Sequence, residues 1–353
     1  MSVFTRDNAE DVIRWYEQNK RDLPWRDTGD PYDVWISEIM LQQTRIEAVR
    51  EKYLRFMAEL PDIRSLAECP EDKLMRLWEG LGYYNRARNL RKCAEYLCEH
   101  ENGVLPADYK RLLGLPGIGT YTAGAIASIA YHLPCPAIDG NVLRVLARYY
   151  GIREDIRQEK TINQIRDLLL PVYEEELPYS SLNQGLMEIG EVLCLPKGMP
   201  KCEQCPLRSS CTACREQTTG EIPYRSSLKK RKILERTILV IRNGDHFLLK
   251  KRPDTGLLAG LYEFPGIDKH CGKKEIIARV ESMNYHVMKI HPLPDAVHVF
   301  SHLEWKMKAY EVWIEEPEHT LSSPWISADL HELQDLALPS AFRAYIDWYS
   351  LRK

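Results

Sequence analysis

The chain has 353 residues, of which 28% are charged and 44% hydrophobic. That length carries two or three domains with their own cores, and the composition excludes a disordered or collagen-like chain. A formal net charge of -3 excludes a bulk polycation, so any nucleic-acid surface must come from local basic clusters.

No apolar run approaches the roughly 20 residues needed to span a bilayer, so no membrane partner is expected. The first twenty residues carry Asp7, Glu10 and Asp11 and no apolar core, which argues against a secretory signal and for the bacterial cytoplasm. Ten cysteines in such a compartment point to metal binding or chemistry before disulfides. Cys69, Cys93, Cys98, Cys135 and Cys271 are scattered and read as small core residues.

The first predicted element is a helix in which Val12, Ile13 and Tyr16 share one face, behind the candidate caps Asp7 and Asn8. Helical periodicity then runs almost unbroken over 5–192, most clearly over 34–57, 71–98, 121–132 and 141–150. Leu60-Pro61, Leu105-Pro106 and Leu133-Pro134 are short breaks between helices. The whole reads as an all-α unit.

Within 34–57, Glu38 stands in the apolar run Trp35-Ile36-Ser37-Glu38-Ile39-Met40-Leu41, followed by Gln42-Gln43-Thr44. Desolvation there raises a carboxylic acid's pKa; on a more exposed helix face the same Glu is merely solvated. Gly80-Leu81-Gly82-Tyr83-Tyr84-Asn85-Arg86-Ala87-Arg88 interleaves rings and cations after two glycines. Such a loop can wedge a ring between bases, or simply start a helix.

Next, Leu115-Pro116-Gly117-Ile118-Gly119-Thr120 joins two helical segments. Glycines allow a tight reversal and a close backbone approach, Thr120 can cap the second helix, and the open N–H groups there suit a phosphate. About twenty residues on, Ile138-Asp139-Gly140-Asn141 places Asp139 where a helix cap or a catalytic carboxylate would stand.

Cys194, Cys202, Cys205 and Cys211 follow, with Cys214 three residues later. The first four can hold a [4Fe–4S] cluster, and the last four, spaced C-x2-C-x5-C-x2-C, can hold zinc. Spacing alone leaves both open. Lys197, Lys201 and Arg208 suit a loop lying along phosphates. Residues 216–235 read as a polar linker ending in Lys229-Lys230-Arg231-Lys232, a phosphate contact or a solvated run.

Beyond the linker the texture becomes α+β. Residues 237–242 and 247–251 are strands around the hairpin signal Asn243-Gly244-Asp245, 297–300 and 307–314 are further strands, and 340–351 is a closing helix.

Six stretches, in this order along the chain, resemble the MutY adenine DNA glycosylases of the endonuclease III superfamily. Leu23-Pro24-Trp25-Arg26, Glu38-x-x-Leu41-Gln42-Gln43-Thr44, Gly80-Leu81-Gly82-Tyr83-Tyr84, the Leu-Pro-Gly-Ile-Gly hairpin, Asp139-Gly140-Asn141-Val142 and Phe300-Ser301-His302 match that family's wording. The last two cysteine gaps match its iron–sulfur loop, and the first is one residue longer.

The resemblance implies a mainly α glycosylase domain over 1–215, with a helix-hairpin-helix at about 109–131 and a [4Fe–4S] loop at 194–211 on Cys194, Cys202, Cys205 and Cys211, Cys214 being spare. It implies a linker over 216–235 and an α+β Nudix-like domain over 236–353 that recognises 8-oxoguanine. Gly256–Gly266 resembles a Nudix start, but Lys273, Lys274, Glu275 and Ile276 stand where that fold's catalytic box would follow, so no pyrophosphohydrolase activity is expected.

It further implies a monomer acting on duplex DNA, with Glu38 as general acid, Asp139 steadying the sugar cation, and Tyr121 and Asn141 orienting them. Arg21, Trp25, Arg26, Leu41 and Gln184 then line an adenine pocket. Gln43 and Tyr83 fill the duplex gaps, Gly117, Gly119 and Thr120 hold phosphate, and Ser301 and His302 inspect an A:8-oxoguanine or A:G mispair. Endonuclease III carries a nucleophilic lysine where Tyr121 stands, so a monofunctional enzyme without lyase activity is implied.

Overall fold

The computed structural model describes residues 2–227, 230–315 and 323–351. They form two compact units: Met1–Cys69 with Asn85–Ser227, and Pro70–Tyr84 with Leu228–Lys353. These bounds differ from 1–215, 216–235 and 236–353. Segment 70–84 leaves the helical unit, 216–227 stays with it, and the second unit's first strand opens at Lys232. Of the basic run, Lys229 lies outside the described residues.

In the first unit, α1 (Arg6–Asn19) is capped not by Asp7 or Asn8 but by Thr5, with Asn8 completing a capping box. The predicted helix 34–57 is two helices. α2 (Pro31–Leu41) has Asp30 as its cap and Pro31 at its first position, where a missing N–H costs nothing. α3 (Ile46–Glu59) follows a break in which Gln43 takes a φ of 57°. Arg86 closes the end of α2: its Nη1 donates to the carbonyls of Ile39, Met40 and Gln42 at 2.6, 3.0 and 2.7 Å. Those carbonyls have no partner within the helix, so the guanidinium does a C-cap's work.

The predicted helix 71–98 also splits. α4 (Ile63–Glu68) precedes it; α5 (Glu71–Leu77) belongs to the second unit and α6 (Asn85–His100) to the first. α7 (Tyr109–Leu113) and α8 (Thr120–Ala125) form the hairpin, α8 running on into one π-turn at Ile126–Ala130. Then come α9 (Gly140–Tyr150), α10 (Glu159–Leu169), α11 (Tyr179–Val192) and the short α12 (Thr212–Arg215).

α9 is the unit's central rod. Val142 through Tyr150 are all buried, and the apolar side chains among them form one cluster with Leu182, Leu186 and Ile189 of α11. Gly190 permits the closest approach, since a Cβ there would stand 2.6 Å from Cβ of Asn141. α9 ends at Gly151 in the left-handed region, a common helix stop.

The second unit is built on one twisted sheet: β1 (Lys232–Asn243), β2 (His246–Lys251), β3 (Tyr262–Glu263), β4 (Gly266–Ile267), β5 (Val287–Val299), β6 (Leu303–Ile314) and β7 (Trp325–Ala328). The path is β3-β2-β1-β6-β5, with β4 on β1 and β7 on β2. Among the described residues only β1 and β6 run parallel. The strands read at 237–242 and 307–314 are longer than their periodicity suggested, and the one read at 297–300 is the end of β5, which begins at Val287 and stops at Val299, short of Phe300. Thr237 through Ile241 are buried on both faces. α14 (Arg343–Ser350) covers the face of Ile238 and Val240 with Tyr345 and Tyr349, and α13 (Lys273–Glu281) covers the face of Leu239 and Ile241 with Ile276 and Val280. A sheet between two helices is the α+β Nudix-like architecture. On α13, Glu275 is spent on the helix start, where its carboxylate accepts from Gly272 N–H at 3.1 Å and from Lys269 at 2.6 Å.

Candidate active site and cysteine cavity

α2 and the start of α9 deliver two carboxylates to one cavity of about 450 Å³ in the first unit, within the range of small-molecule sites. Its lining includes Glu38, Asp139, Tyr121, Asn141, Gln184 and Glu188. Arg21, Trp25, Arg26, Leu41 and Gln43 also border it. Sequence-predicted residues from five separate stretches thus meet in one place.

Glu38 is only 8% exposed, in a helix whose neighbours Trp35, Ile36, Ile39 and Met40 are buried apolar side chains. Burial pushes its carboxyl up to about 7, and the nearby Asp139 charge adds to the rise. The hydroxyl of Tyr121, which donates to Glu38 Oε2, and the Arg26 charge pull the other way. Glu38 is thus held near half-protonation at neutral pH. Tyr121 itself is pushed far up by burial and by the two carboxylates, so it stays a neutral donor.

Asp139 is the N-cap of α9, and its Oδ1 accepts from the N–H groups of Asn141 at 3.0 Å and Val142 at 2.8 Å. Burial raises its pKa, while these donors and the Arg144 charge pull it back. The helix start adds a positive end to the same side. Asn141 is held in turn: its Oδ1 accepts from Arg144 Nη2 at 2.9 Å, and Arg144 also binds Gly190 O and Cys194 O, both at 2.7 Å.

Sequence reasoning missed Glu188. Its carboxylate, 1% exposed, accepts from Arg21 Nε at 2.5 Å and Arg26 Nη2 at 2.5 Å, and Arg21 Nη2 adds a bond at 3.1 Å. Burial would raise its pKa, but the two arginines outweigh burial and hold it below the ordinary range. The two arginines were read as pocket residues; this anion fixes their posture. The available signal was an acid one turn after Gln184 in the apolar stretch of α11, with two arginines elsewhere lacking an obvious counter-charge. Gln184 donates to Ser180 Oγ at 3.1 Å, and Trp25 packs edge-on against Tyr53 at 5.3 Å.

At the hairpin, Leu112, Leu115 and Ile118 are buried beneath an exposed Gly117, Gly119 and Thr120. Gly117 has a φ of 75°, and a Cβ there would lie 2.8 Å from Cβ of Asn89. The cap of α8 is Gly119, not Thr120, and no side chain closes it. Thr120 is instead the first helical residue.

In the second unit, Tyr83 is 46% exposed at a φ of 47°, after a turn in which Trp78 Nε1 donates to Gly82 O at 3.0 Å. Ser301 and His302 form the exposed turn between β5 and β6, with Ser301 Oγ 3.3 Å from His302 Nδ1. Phe300 beneath them packs against Trp305 at 4.9 Å.

Back in the first unit, Cys194, Cys202, Cys205, Cys211 and Cys214 line a second cavity, with Ile189, Leu193 and Leu207 as apolar walls. No disulfide joins them. Arg148 Nη1 donates to Cys194 Sγ at 3.2 Å, Leu207 N–H donates to Cys205, and the N–H groups of Ala213 and Cys214 donate to Cys211. Burial pushes the Cys205 and Cys211 thiols up, and these donors pull the other way. Among the described residues no three His, Cys, Asp or Glu side chains gather as a single metal ion requires. Five cysteine side chains around one apolar cavity are a donor set that suits a thiolate-bound group such as a [4Fe–4S] cluster.

Residues 36–171 match the HhH-GPD superfamily of base excision DNA repair proteins, and 237–348 match the NUDIX domain. Over 297 residues the chain is 36% identical to the adenine DNA glycosylase of Buchnera aphidicola subsp. Baizongia pistaciae, covering 83% of this chain and 82% of that one. It is 30% identical to the adenine DNA glycosylase of Mus musculus, covering 95% of this chain and 77% of the relative. A thermostable thymine-DNA glycosylase of known structure aligns with a TM-score of 0.53 at 26% identity, over 59% of this chain and 95% of its own. No helix among the described residues is long and apolar enough to cross a membrane. The chain belongs to the MutY-type adenine DNA glycosylases of the HhH-GPD superfamily.

Proposed function

We propose that this chain is a monofunctional glycosylase that removes adenine from duplex DNA where the adenine faces 8-oxoguanine or guanine. The observation that carries this is the meeting of Glu38 and Asp139 in one cavity, the first poised near neutrality and the second clamped by a helix start.

Adenine is stacked in the duplex, so it must first be flipped out, at a cost of a few kcal/mol. Adenine anion is a poor leaving group. Glu38 gives its proton to N7, and the base leaves neutral. Positive charge then builds on the sugar, and ionised Asp139 stabilises it as a carboxylate does in retaining glycosidases. Water completes the abasic product with Glu38 as base. Tyr121 and Asn141 hold the two carboxylates in register. Arg21, Trp25, Arg26, Leu41 and Gln184 receive the base, with Glu188 setting the two arginines.

Gly117, Gly119 and Thr120 hold a phosphate by backbone N–H groups, a contact that positions without reading sequence. Gln43 and Tyr83 fill the space left in the stack. Ser301 can both donate and accept, which suits the N7–H and O8 edge of 8-oxoguanine, with His302 beside it. Cys194, Cys202, Cys205 and Cys211 would hold a [4Fe–4S] cluster, whose contribution when bound is to cross-link loop 194–211. The second unit lacks paired glutamates at its α13 start and is read as a recognition module, not a hydrolase.

The test is single-turnover release of adenine from a duplex with one A:8-oxoguanine pair. Glu38→Gln and Asp139→Asn should bind that duplex and fail to release the base; near-normal release by either removes its assigned role. Borohydride should trap no adduct, because a phenol at Tyr121 cannot form the Schiff base a lysine forms.

A further inference from the structure

A single guanidinium spans the break between α2 and α3. Besides the carbonyls of Ile39, Met40 and Gln42, Arg86 donates from Nη2 to Thr44 Oγ1 at 3.2 Å. Gln42 and Thr44 flank Gln43, so Arg86 holds the chain on both sides of it. Gln43 itself is exposed, borders the cavity of Glu38 and Asp139, and takes a φ of 57°. That left-handed conformation is disfavoured for a residue with a Cβ, and a loop left unheld would relax out of it. Gln42 adds a second tie, its Nε2 donating to Thr122 Oγ1 of α8 at 3.4 Å. Arg86 lies in the first turn of α6, where the helix dipole disfavours a cation. Its charge suits the carbonyl end of α2 better than its own helix.

We infer that Arg86 is a positioning residue for base flipping: by bracketing Gln43 it pre-forms the conformation in which that side chain enters the gap left by the extruded adenine. This rests on the reading of Gln43 as a gap filler. A pre-formed Gln43 meets the duplex without first losing the freedom of a mobile loop, so the cost of opening the pair is offset as the base leaves. Lysine at position 86 keeps the charge but not the function, since a single ammonium lacks the planar fork that reaches acceptors on both sides of Gln43.

The test is a double-mutant cycle in single-turnover adenine release from the A:8-oxoguanine duplex, at a temperature where melts show every variant folded. Arg86→Lys and Gln43→Ala should each slow release by about tenfold or more. Arg86→Lys added to Gln43→Ala should then slow it by no more than about twofold, because its effect passes through a side chain already gone. Losses that multiply overturn the inference and place Arg86 in the general support of α2 and Glu38. Parental release by Arg86→Lys overturns it as well, and parental release by Gln43→Ala removes the gap-filling reading and the inference with it. Thr44→Val keeps the side chain's shape and loses the acceptor beside Gln43. It stands in if Arg86→Lys does not fold, with the same expectation at smaller size. A second readout separates flipping from chemistry. In Glu38→Gln chains, 2-aminopurine in place of the target adenine should brighten as it is extruded, and Arg86→Lys should cut that rise at saturating protein. An unchanged rise sinks the inference.

Discussion

A carboxylic acid with a pKa of about 7 is costly to bury in its charged form, and in the proposed mechanism Glu38 carries that cost into catalysis. Release of adenine should fall as pH rises through about 7, where Glu38 loses the proton it must give. Asp139, whose pKa is also raised, sets the acid limb above the ordinary carboxylate range. The stability linkage has a definite sign. Glu38 binds its proton more tightly folded than unfolded, so its contribution is fully present below about 4.5 and lost as pH rises through about 7. Glu38→Gln should therefore melt higher than the parent above pH 7, by about 3 kcal/mol at most, while losing on the order of a hundredfold or more in rate. Thermal melts and single-turnover rates across pH check both, and an unchanged melting profile would count against the buried-acid reading. Glu188 makes the opposite case. Glu188→Ala leaves the partly buried Arg26 and Arg21 without their anion and should cost about 3–5 kcal/mol. Glu188→Gln should fold better yet loosen the pocket, raising KM more than it lowers kcat. Glu38 and Asp139 were legible in the sequence because each stands in a distinctive local run. Glu188 was not, because its partners are some 160 residues away, and only the fold pairs them.

Both places where a long predicted helix breaks carry a non-glycine residue in the left-handed region, Gln43 and Tyr83. Such a conformation costs about 1–2 kcal/mol, so neighbouring structure must impose it. For Gln43 that structure includes Arg86, which seals the end of α2 from another helix. Hydrophobic periodicity carries across both breaks because the flanking helices bury the same kind of face, which is why 34–57 and 71–98 read as continuous. The hairpin and α9 were easier, since their glycines and Asp139 mark turns and starts locally. The α9–α11 contact supplies a test at this scale. A methyl group at Gly190 would meet Asn141, one residue from the start of α9, so Gly190→Ala must push the two helices apart or tilt Asn141 away from Asp139. The variant should lose melting temperature and, at temperatures where it is fully folded, at least about tenfold in adenine release. Full activity in a folded variant would show that the close approach serves packing alone.

The sequence changes texture near residue 230, and the two units follow that change except at one point. Segment 70–84 lies inside the helical sequence yet joins the second unit, where Asp72 pairs with Lys251 at 2.9 Å and Arg76 with Asp335 at 3.0 Å. Composition cannot reveal such a transfer, because an amphipathic helix fits either partner and the ion pairs join residues far apart in the chain. Both carboxylates and their pocket belong to the first unit, and the Ser301-His302 turn belongs to the second; the proposed function gives them different work. Bond cleavage and recognition of the opposing base should then separate under mutation. Ser301→Ala should leave single-turnover release from a saturated A:G duplex within about twofold of the parent. It should also lower the preference for A:8-oxoguanine by about two- to tenfold, the worth of one net hydrogen bond of about 0.5–1.5 kcal/mol. His302→Ala should act in the same direction. The measurement is the ratio of rates and of affinities on the two duplexes, taken at one salt concentration because phosphate contacts make binding salt-dependent. Equal losses on both duplexes would place the turn among general DNA contacts and leave the opposing base to be read by some other surface.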